Sequence, residues 1–137
     1  MSVIIANGCF DVFHEGHHRF LTMAKNLGQF NRLIVAVNSD QSARALKLAK
    51  WGENYPIDNH LERMRNVGRY ADIIVGFDTE EQLHSLIEHY MPCIIVKGPD
   101  YAGKSVTGDD IAPVLILDTP EPESVKEMKK KAYAQGF

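Results

Sequence analysis

The chain has no long apolar run, few cysteines and no excess of positive charge, and each shortage removes a class of function. Its first apolar stretch, Val3-Ile4-Ile5-Ala6, is far shorter than the roughly 20 residues of a spanning helix, and no basic segment precedes it as in a signal peptide. A cytoplasmic setting without a membrane partner is expected. The two cysteines, Cys9 and Cys93, make neither a disulfide framework nor a Cys-x-x-Cys pair. Cys93 heads an apolar run and reads as a small core residue. A formal net charge of -3 argues against a nucleic-acid backbone as the main partner. A free nucleotide stays open, because a few local cations suffice for one. Internal repeats and low-complexity segments are also absent.

What is present is the composition of one soluble domain: 137 residues, 45% hydrophobic and 24% charged. Apolar runs of strand length recur at Val3–Asn7, Leu33–Asn38, Ile73–Phe77, Ile94–Lys97 and Val114–Leu117. Most are continuous rather than alternating, as strands buried on both faces require. Helical patterns lie between them. One covers 17–27 and closes at Gly28. Another begins at Ser39-Asp40 and runs to about Lys50, and a third follows an Asn59 cap over 60–70 with Leu61, Met64 and Val67 at helical spacing. A fourth starts at Thr79, carries acids in its first turn and ends before Pro92. Strands alternating with helices predict an α/β fold with a mostly parallel five-stranded sheet flanked by helices, over one domain spanning 1–137. Two stretches, Trp51–Pro56 and Pro99–Pro113, read as irregular loops able to lie over an active face.

The chemistry concentrates in Gly8-Cys9-Phe10-Asp11-Val12-Phe13-His14-Glu15-Gly16-His17. A strand ends there, a glycine-bearing loop turns, and a helix starts with two histidines at its mouth. Backbone N–H groups and the helix dipole at such a start attract phosphate. Two histidines three apart add donors for charge developing on a phosphoryl oxygen. In open parallel sheets the ligand crevice lies at the strands' carboxyl ends, where strand order reverses, so pattern and chemistry coincide. A zinc reading of His14, His17 and His18 lacks a convincing third and fourth ligand, and no metal site is expected.

The pattern Gly8-x-Phe10-Asp11-x-x-His14-x-Gly16-His17 resembles the signature of the cytidylyltransferase-like nucleotidyltransferases. Three further segments, Val35–Asp40, Phe77–Thr79 and Val96–Tyr101, look most like the domain that activates heptose 1-phosphate, with glycerol-3-phosphate cytidylyltransferase next. The resemblance implies a Rossmann-like fold and transfer of a nucleoside monophosphate from ATP or CTP to a sugar phosphate or polyol phosphate. Pyrophosphate would leave, and Mg2+ would accompany the triphosphate. It implies catalytic roles for His14, His17 and Lys47, with Lys50 a competitor for the lysine's place. The Gly8–Asp11 loop (Gly8, Cys9, Phe10, Asp11), Gly16 and Arg63 would meet the nucleotide, as would Lys97, Gly98 and Asp100 after the fourth strand. Asp40 is either an acceptor contact or simply part of a helix start, and Lys97 either a ligand or a strand-end residue reaching water. Dimers are common in such a family, and Tyr55–Asn59 could contribute to one.

One segment departs from the family pattern. Where a Ser-Thr-Thr element usually grips the triphosphate, this chain has Asp118-Thr119-Pro120-Glu121-Pro122-Glu123-Ser124-Val125-Lys126-Glu127. Ser124 with Glu127 suggests a capping box and is the remaining nucleotide contact there. Glu121 and Glu123 put negative charge nearby, which raises the alternative of a nucleotide-binding module with weakened or lost turnover. A flavodoxin-like carrier shares the layout but explains neither histidine. The lysines at 129–131 read as a solvated helix face.

Overall fold

The computed structural model describes residues 2–11, 13–28, 31–51, 59–119, 122–127 and 130, the side chains of Lys50 and Trp51 excepted. Five strands, β1 (Val3–Gly8), β2 (Arg32–Asn38), β3 (Ile73–Phe77), β4 (Ile94–Lys97) and β5 (Val114–Ile116), form one sheet in the order β3-β2-β1-β4-β5. Every pairing is parallel. The expected strands thus appear within a residue or so of their predicted ends. Strand order runs outward from β1 through β2 to β3, then resumes on β1's other side at β4. The carboxyl ends of β1 and β4 therefore flank the switch point.

Pleat alternation explains the continuous apolar runs. Ile4, Ala6, Leu33, Val35 and Val37 face one cluster with Phe20, Leu21, Ala24 and Val67. Their neighbours Ile5, Ile34, Ala36 and Ile95 face a second cluster with Leu83, Ile87, Val106 and Ala112. Both faces are covered, so successive residues in the strand interiors are apolar, and the polar ones (Asn7, Arg32, Asn38 and Lys97) lie at or near strand ends. Helices α1 (Glu15–Lys25) and α3 (His60–Val67) supply the first layer, and α4 (Glu80–Tyr90) supplies the second. Helix α2 (Asp40–Trp51) is shallower, with Ala43 its buried residue among those described.

Several local expectations change. Helix α1 begins at Glu15 because His14 caps it, and it ends at an Asn26 cap before Gly28 is reached. Helix α3 stops at Gly68 and turns Arg63 and Val67 inward, leaving Leu61 at 70% exposure. The Pro99–Pro113 stretch is not wholly irregular. It opens with a single 3-10 turn (Pro99–Tyr101), and Val106 and Ala112 dock into the core. Gly108 is required at φ +94°, since a Cβ there would fall 2.6 Å from Ile87 Cδ1. Residues 52–58, including Tyr55 and Pro56, lie outside the described residues, as do Val12, Glu121 and the lysines at 129 and 131. Lys130 is exposed and pairs with Glu127 at 3.9 Å.

Candidate active site

A cleft of about 420 Å3 opens at the carboxyl ends of β1 and β4. Its helix-mouth side is built by the loop after β1. That loop turns at Phe10, whose φ of +50° is left-handed, rather than at a glycine. A non-glycine residue there is strained by roughly 1–2 kcal/mol, and the burial of the Phe10 ring, 6% exposed, offsets it. Gly8 leaves room for that ring: a Cβ at Gly8 would stand 3.3 Å from Phe10 Cε2. The Phe10 ring meets Phe20 at 6.4 Å and His17 edge-on at 5.6 Å. Phe13 lies 5.3 Å from His17 and stacks on Tyr70 at 6.2 Å.

His14 and His17 cap α1 reciprocally. Gly16 N–H donates to His14 Nδ1 at 3.0 Å, and His14 N–H donates to His17 Nδ1 at 3.3 Å. The two rings stack with centroids 3.8 Å apart. A ring that accepts at Nδ1 carries its proton on Nε2, so both imidazoles become Nε2–H donors of fixed orientation. The histidine pair therefore does the work of a Ser-x-x-Glu capping box and presents two donors at a helix N-terminus. His18 is used elsewhere, its Nδ1 2.6 Å from the Tyr70 hydroxyl. Among the described residues no group of three or more His, Cys, Asp or Glu side chains gathers to hold an ion.

Lys47 reaches the same cleft from α2 and stands 3.5 Å from Asp11 Oδ1. Asp11 is 4% exposed, and its Oδ2 has no hydrogen-bond partner among the described residues. Opposite, at the end of β4, Lys97 is also 4% exposed, with Nζ 3.9 Å above the Tyr101 ring. Burial of this ammonium pushes its pKa down to about 8. Burial likewise raises the Cys9 thiol and the Tyr101 hydroxyl. Gly98 and Asp100 line this side as well.

Three predicted contacts do not line the cleft. Arg63 is 0% exposed and lies beneath the loop. Its Nη1 donates to the Cys9 carbonyl at 2.9 Å and the Asn38 carbonyl at 2.8 Å, and its Nη2 to Asp40 Oδ1 at 2.8 Å. Arg63 thus pins the β1 loop to the end of β2 and the start of α2. Asp40 is its counter-charge, and the Arg63 hydrogen bond holds its carboxyl below the usual range. The cap of α2 is Ser39, whose Oγ accepts from Ser42 N–H at 3.2 Å. Ser124 is exposed and is not a cap: Lys126 N–H donates to the Pro122 carbonyl at 3.2 Å, so the helical turn at 123–127 starts from Pro122. That segment contributes Lys126 and Thr119 to the cleft instead, and Glu123 pairs with Lys126 at 3.4 Å. The Lys50 side chain lies outside the description.

Sequence reasoning passed over Asn7, Asn38, Phe77, Glu80 and Tyr101, which also line the cleft. Their signal was positional. Asn7, Asn38 and Phe77 end or nearly end strands, and Glu80 and Tyr101 follow the ends of β3 and β4.

A parallel sheet with helix-mouth histidines and two lysines at its switch point defines a Rossmann-like α/β domain of the nucleotidyltransferase type. The chain belongs to the cytidylyltransferase-like family, whose model matches residues 5–112. It is 44% identical to the bifunctional protein HldE of Campylobacter curvus over 133 residues, 94% of this chain and 27% of that protein. It is 41% identical to HldE of Nitratiruptor sp. over 125 residues, 89% of this chain and 26% of that protein. The chain thus spans about a quarter of the length of these curated relatives. Among solved structures, the lipopolysaccharide core biosynthesis protein of Thermoplasma volcanium superposes with a TM-score of 0.67 at 23% identity, covering 88% of this chain and 99% of that one. Pantothenate synthetase of Thermus thermophilus gives 0.56 at 15% identity, covering 94% and 65%. These two likenesses carry the fold. No described helix is long and apolar enough to cross a membrane.

Proposed function

We propose that this cleft transfers a nucleoside monophosphate from ATP, or from CTP, to a sugar phosphate or polyol phosphate and releases pyrophosphate. The observation that carries the proposal is the reciprocal capping of His14 and His17, which fixes two imidazoles at a helix N-terminus that lines the cleft. An acceptor phosphate oxygen attacks the α-phosphorus in line. The new O–P bond forms as the bond to the bridging oxygen breaks, and that electron pair leaves with pyrophosphate. The nucleophile is already anionic at neutral pH, so no strong general base is needed. What the protein must supply is alignment and positive potential for charge growing on the α-phosphate and the leaving group. His14, His17 and the α1 dipole serve the first need, while Lys47 and Lys126 serve the second.

The described residues do not form a protein cage for a metal. The buried, unpartnered Oδ2 of Asp11 suits a magnesium ion that arrives on the triphosphate and keeps phosphate and water ligands. When bound, such an ion spreads charge over the phosphate oxygens. Likeness to the heptose-type domain and kinship with HldE support ATP and a heptose-type phosphate over CTP and glycerol 3-phosphate.

The test incubates the protein with each triphosphate and magnesium plus heptose 1-phosphate, mannose 1-phosphate or glycerol 3-phosphate, and measures pyrophosphate. Release that depends on both substrates is expected. Folded protein that turns over no pair contradicts the enzyme reading. The position of Ser124 outside the cleft favours a second reading, a nucleotide-binding module, which calorimetric binding without product would support.

A further inference from the structure

The two sides of the cleft carry different chemistry. On the helix-mouth side, Lys47 is matched by Asp11, and the donors are imidazoles at a helix start. On the β4 side, Lys97 has neither an ion pair nor a hydrogen bond from its ammonium among the described residues. Its neighbour is the Tyr101 ring. Glu80, at the start of α4, lines the cleft within electrostatic reach of Lys97 and Tyr101, and Thr107 Oγ1 donates to its Oε2 at 2.5 Å. Asn7, one residue before the end of β1, also lines the cleft and has a buried Oδ1 with no partner among the described residues. Cys9 sits between the sides, feeling both Lys47 and Lys97.

A buried ammonium held only by an aromatic face calls for an anion. A carboxylate within electrostatic reach of it, as Glu80 is, disfavours a polyanionic triphosphate yet accepts hydrogen bonds from hydroxyl groups. We propose that the β4 side is the acceptor's seat, where Lys97 takes the acceptor phosphate and Glu80, with Asn7, takes its hydroxyls. The proposal rests on the nucleotidyl-transfer reading above and moves Lys97 from the nucleotide to the acceptor. It also names the substrate class: a phosphate monoester rich in hydroxyl groups, with Glu80 as the residue that selects for them.

Calorimetry tests it without requiring turnover. Wild type, Lys97→Met and Glu80→Gln are titrated with non-hydrolysable ATP and CTP analogues plus magnesium. Each analogue complex is then titrated with heptose 1-phosphate, mannose 1-phosphate, glycerol 3-phosphate and inorganic phosphate. Lys97→Met keeps the length of the stem and should weaken the phosphorylated probes roughly tenfold or more, the worth of a charge-assisted hydrogen bond, while analogue affinity stays within about twofold. Glu80→Gln, at an exposed position, should weaken the sugar phosphates but not inorganic phosphate. Weakened analogue binding in Lys97→Met, or unchanged sugar-phosphate binding in Glu80→Gln, overturns the proposal and leaves nucleotidyl transfer standing. A wild-type protein that binds the analogue but no phosphorylated probe also overturns it. Wild type that binds neither the ATP nor the CTP analogue removes the nucleotidyl-transfer reading itself. If Lys97→Met does not fold, the Glu80→Gln comparison decides.

Discussion

Lys47 and Lys97 line one cleft in opposite ways. Lys47 rises from a shallow helix and meets a carboxylate at 3.5 Å, whereas Lys97 ends a central strand, 96% buried, against the face of Tyr101. The first has an anion already in place. The second has its charge suppressed by desolvation, with its pKa brought down to about 8, and gains most from an incoming anion. On the proposed reading, these identical side chains serve two kinds of phosphate contact. Their difference comes from the element that delivers each one, since a shallow helix leaves its lysine 18% exposed and a strand end at a switch point leaves its own 4% exposed.

Breaking the helix-mouth side should have the largest effect. His17→Ala removes one Nε2–H donor, and turnover should fall roughly 10²–10³-fold. Steady-state rates measured beside a urea unfolding curve check this, because a loss explained by unfolding would show in the midpoint. Arg63→Met comes next and acts through stability. It leaves the Cys9 and Asn38 carbonyls and the Asp40 carboxylate without their guanidinium, at a cost of about 2–4 kcal/mol in the same unfolding experiment. Because Asp40 is 45% exposed, water restores part of its solvation, which keeps the cost at that level.

The pH response separates the two lysines. Lys97 loses its proton near pH 8 in the free protein, so kcat/KM for the acceptor should fall as pH rises through that value. In Lys97→Met this limb should vanish, leaving a lower, flatter profile. Fold stability should move the other way. The folded pKa is below the ordinary 10.5, so the unfolded chain binds more protons between about 8 and 10.5, and stability rises with pH across that window. An acceptor profile that keeps its limb in Lys97→Met would assign the limb to another group.

The smallest effect lies behind the β4 side. His84 on α4 bonds Asp110 at 2.9 Å and Glu88 at 2.8 Å, and Asp110 chiefly, then Glu88, raises its pKa from 6.5. A raised histidine contributes stability that is full below pH 6.5 and is lost as pH rises through the folded value. The stability gap between wild type and His84→Gln should therefore be widest in mild acid and close above neutrality. Parallel unfolding curves at each pH measure it.

The fold was legible because the sheet is buried on both faces, so each strand announces itself as an unbroken apolar run. The helix-mouth site was legible because its chemistry is local: ten consecutive residues carry the loop, the cap and both histidines. What escaped the sequence depends on tertiary partners. Arg63 reads as a phosphate ligand by its place in the pattern, and its bonds to two carbonyls and Asp40 form only once α3 docks. Leu61 fits the helical spacing, yet α3 turns Arg63 inward instead, since an arginine whose guanidinium bonds two carbonyls and a carboxylate can be buried. Ser124 looks like a cap beside Glu127, but the turn starts at Pro122 and brings Lys126 to the cleft. Glu80, Asn7 and Tyr101 come from three separate elements, and no sequence spacing joins them.

The most direct test follows the α-phosphate. ATP and CTP radiolabelled at that position are incubated with the protein, magnesium and heptose 1-phosphate, mannose 1-phosphate or glycerol 3-phosphate. The account predicts that the label moves into a nucleotide-linked acceptor in step with pyrophosphate, and that His17→Ala slows this roughly 10²–10³-fold. Label that remains in the triphosphate with every acceptor, in folded protein that binds the nucleotide, would contradict it.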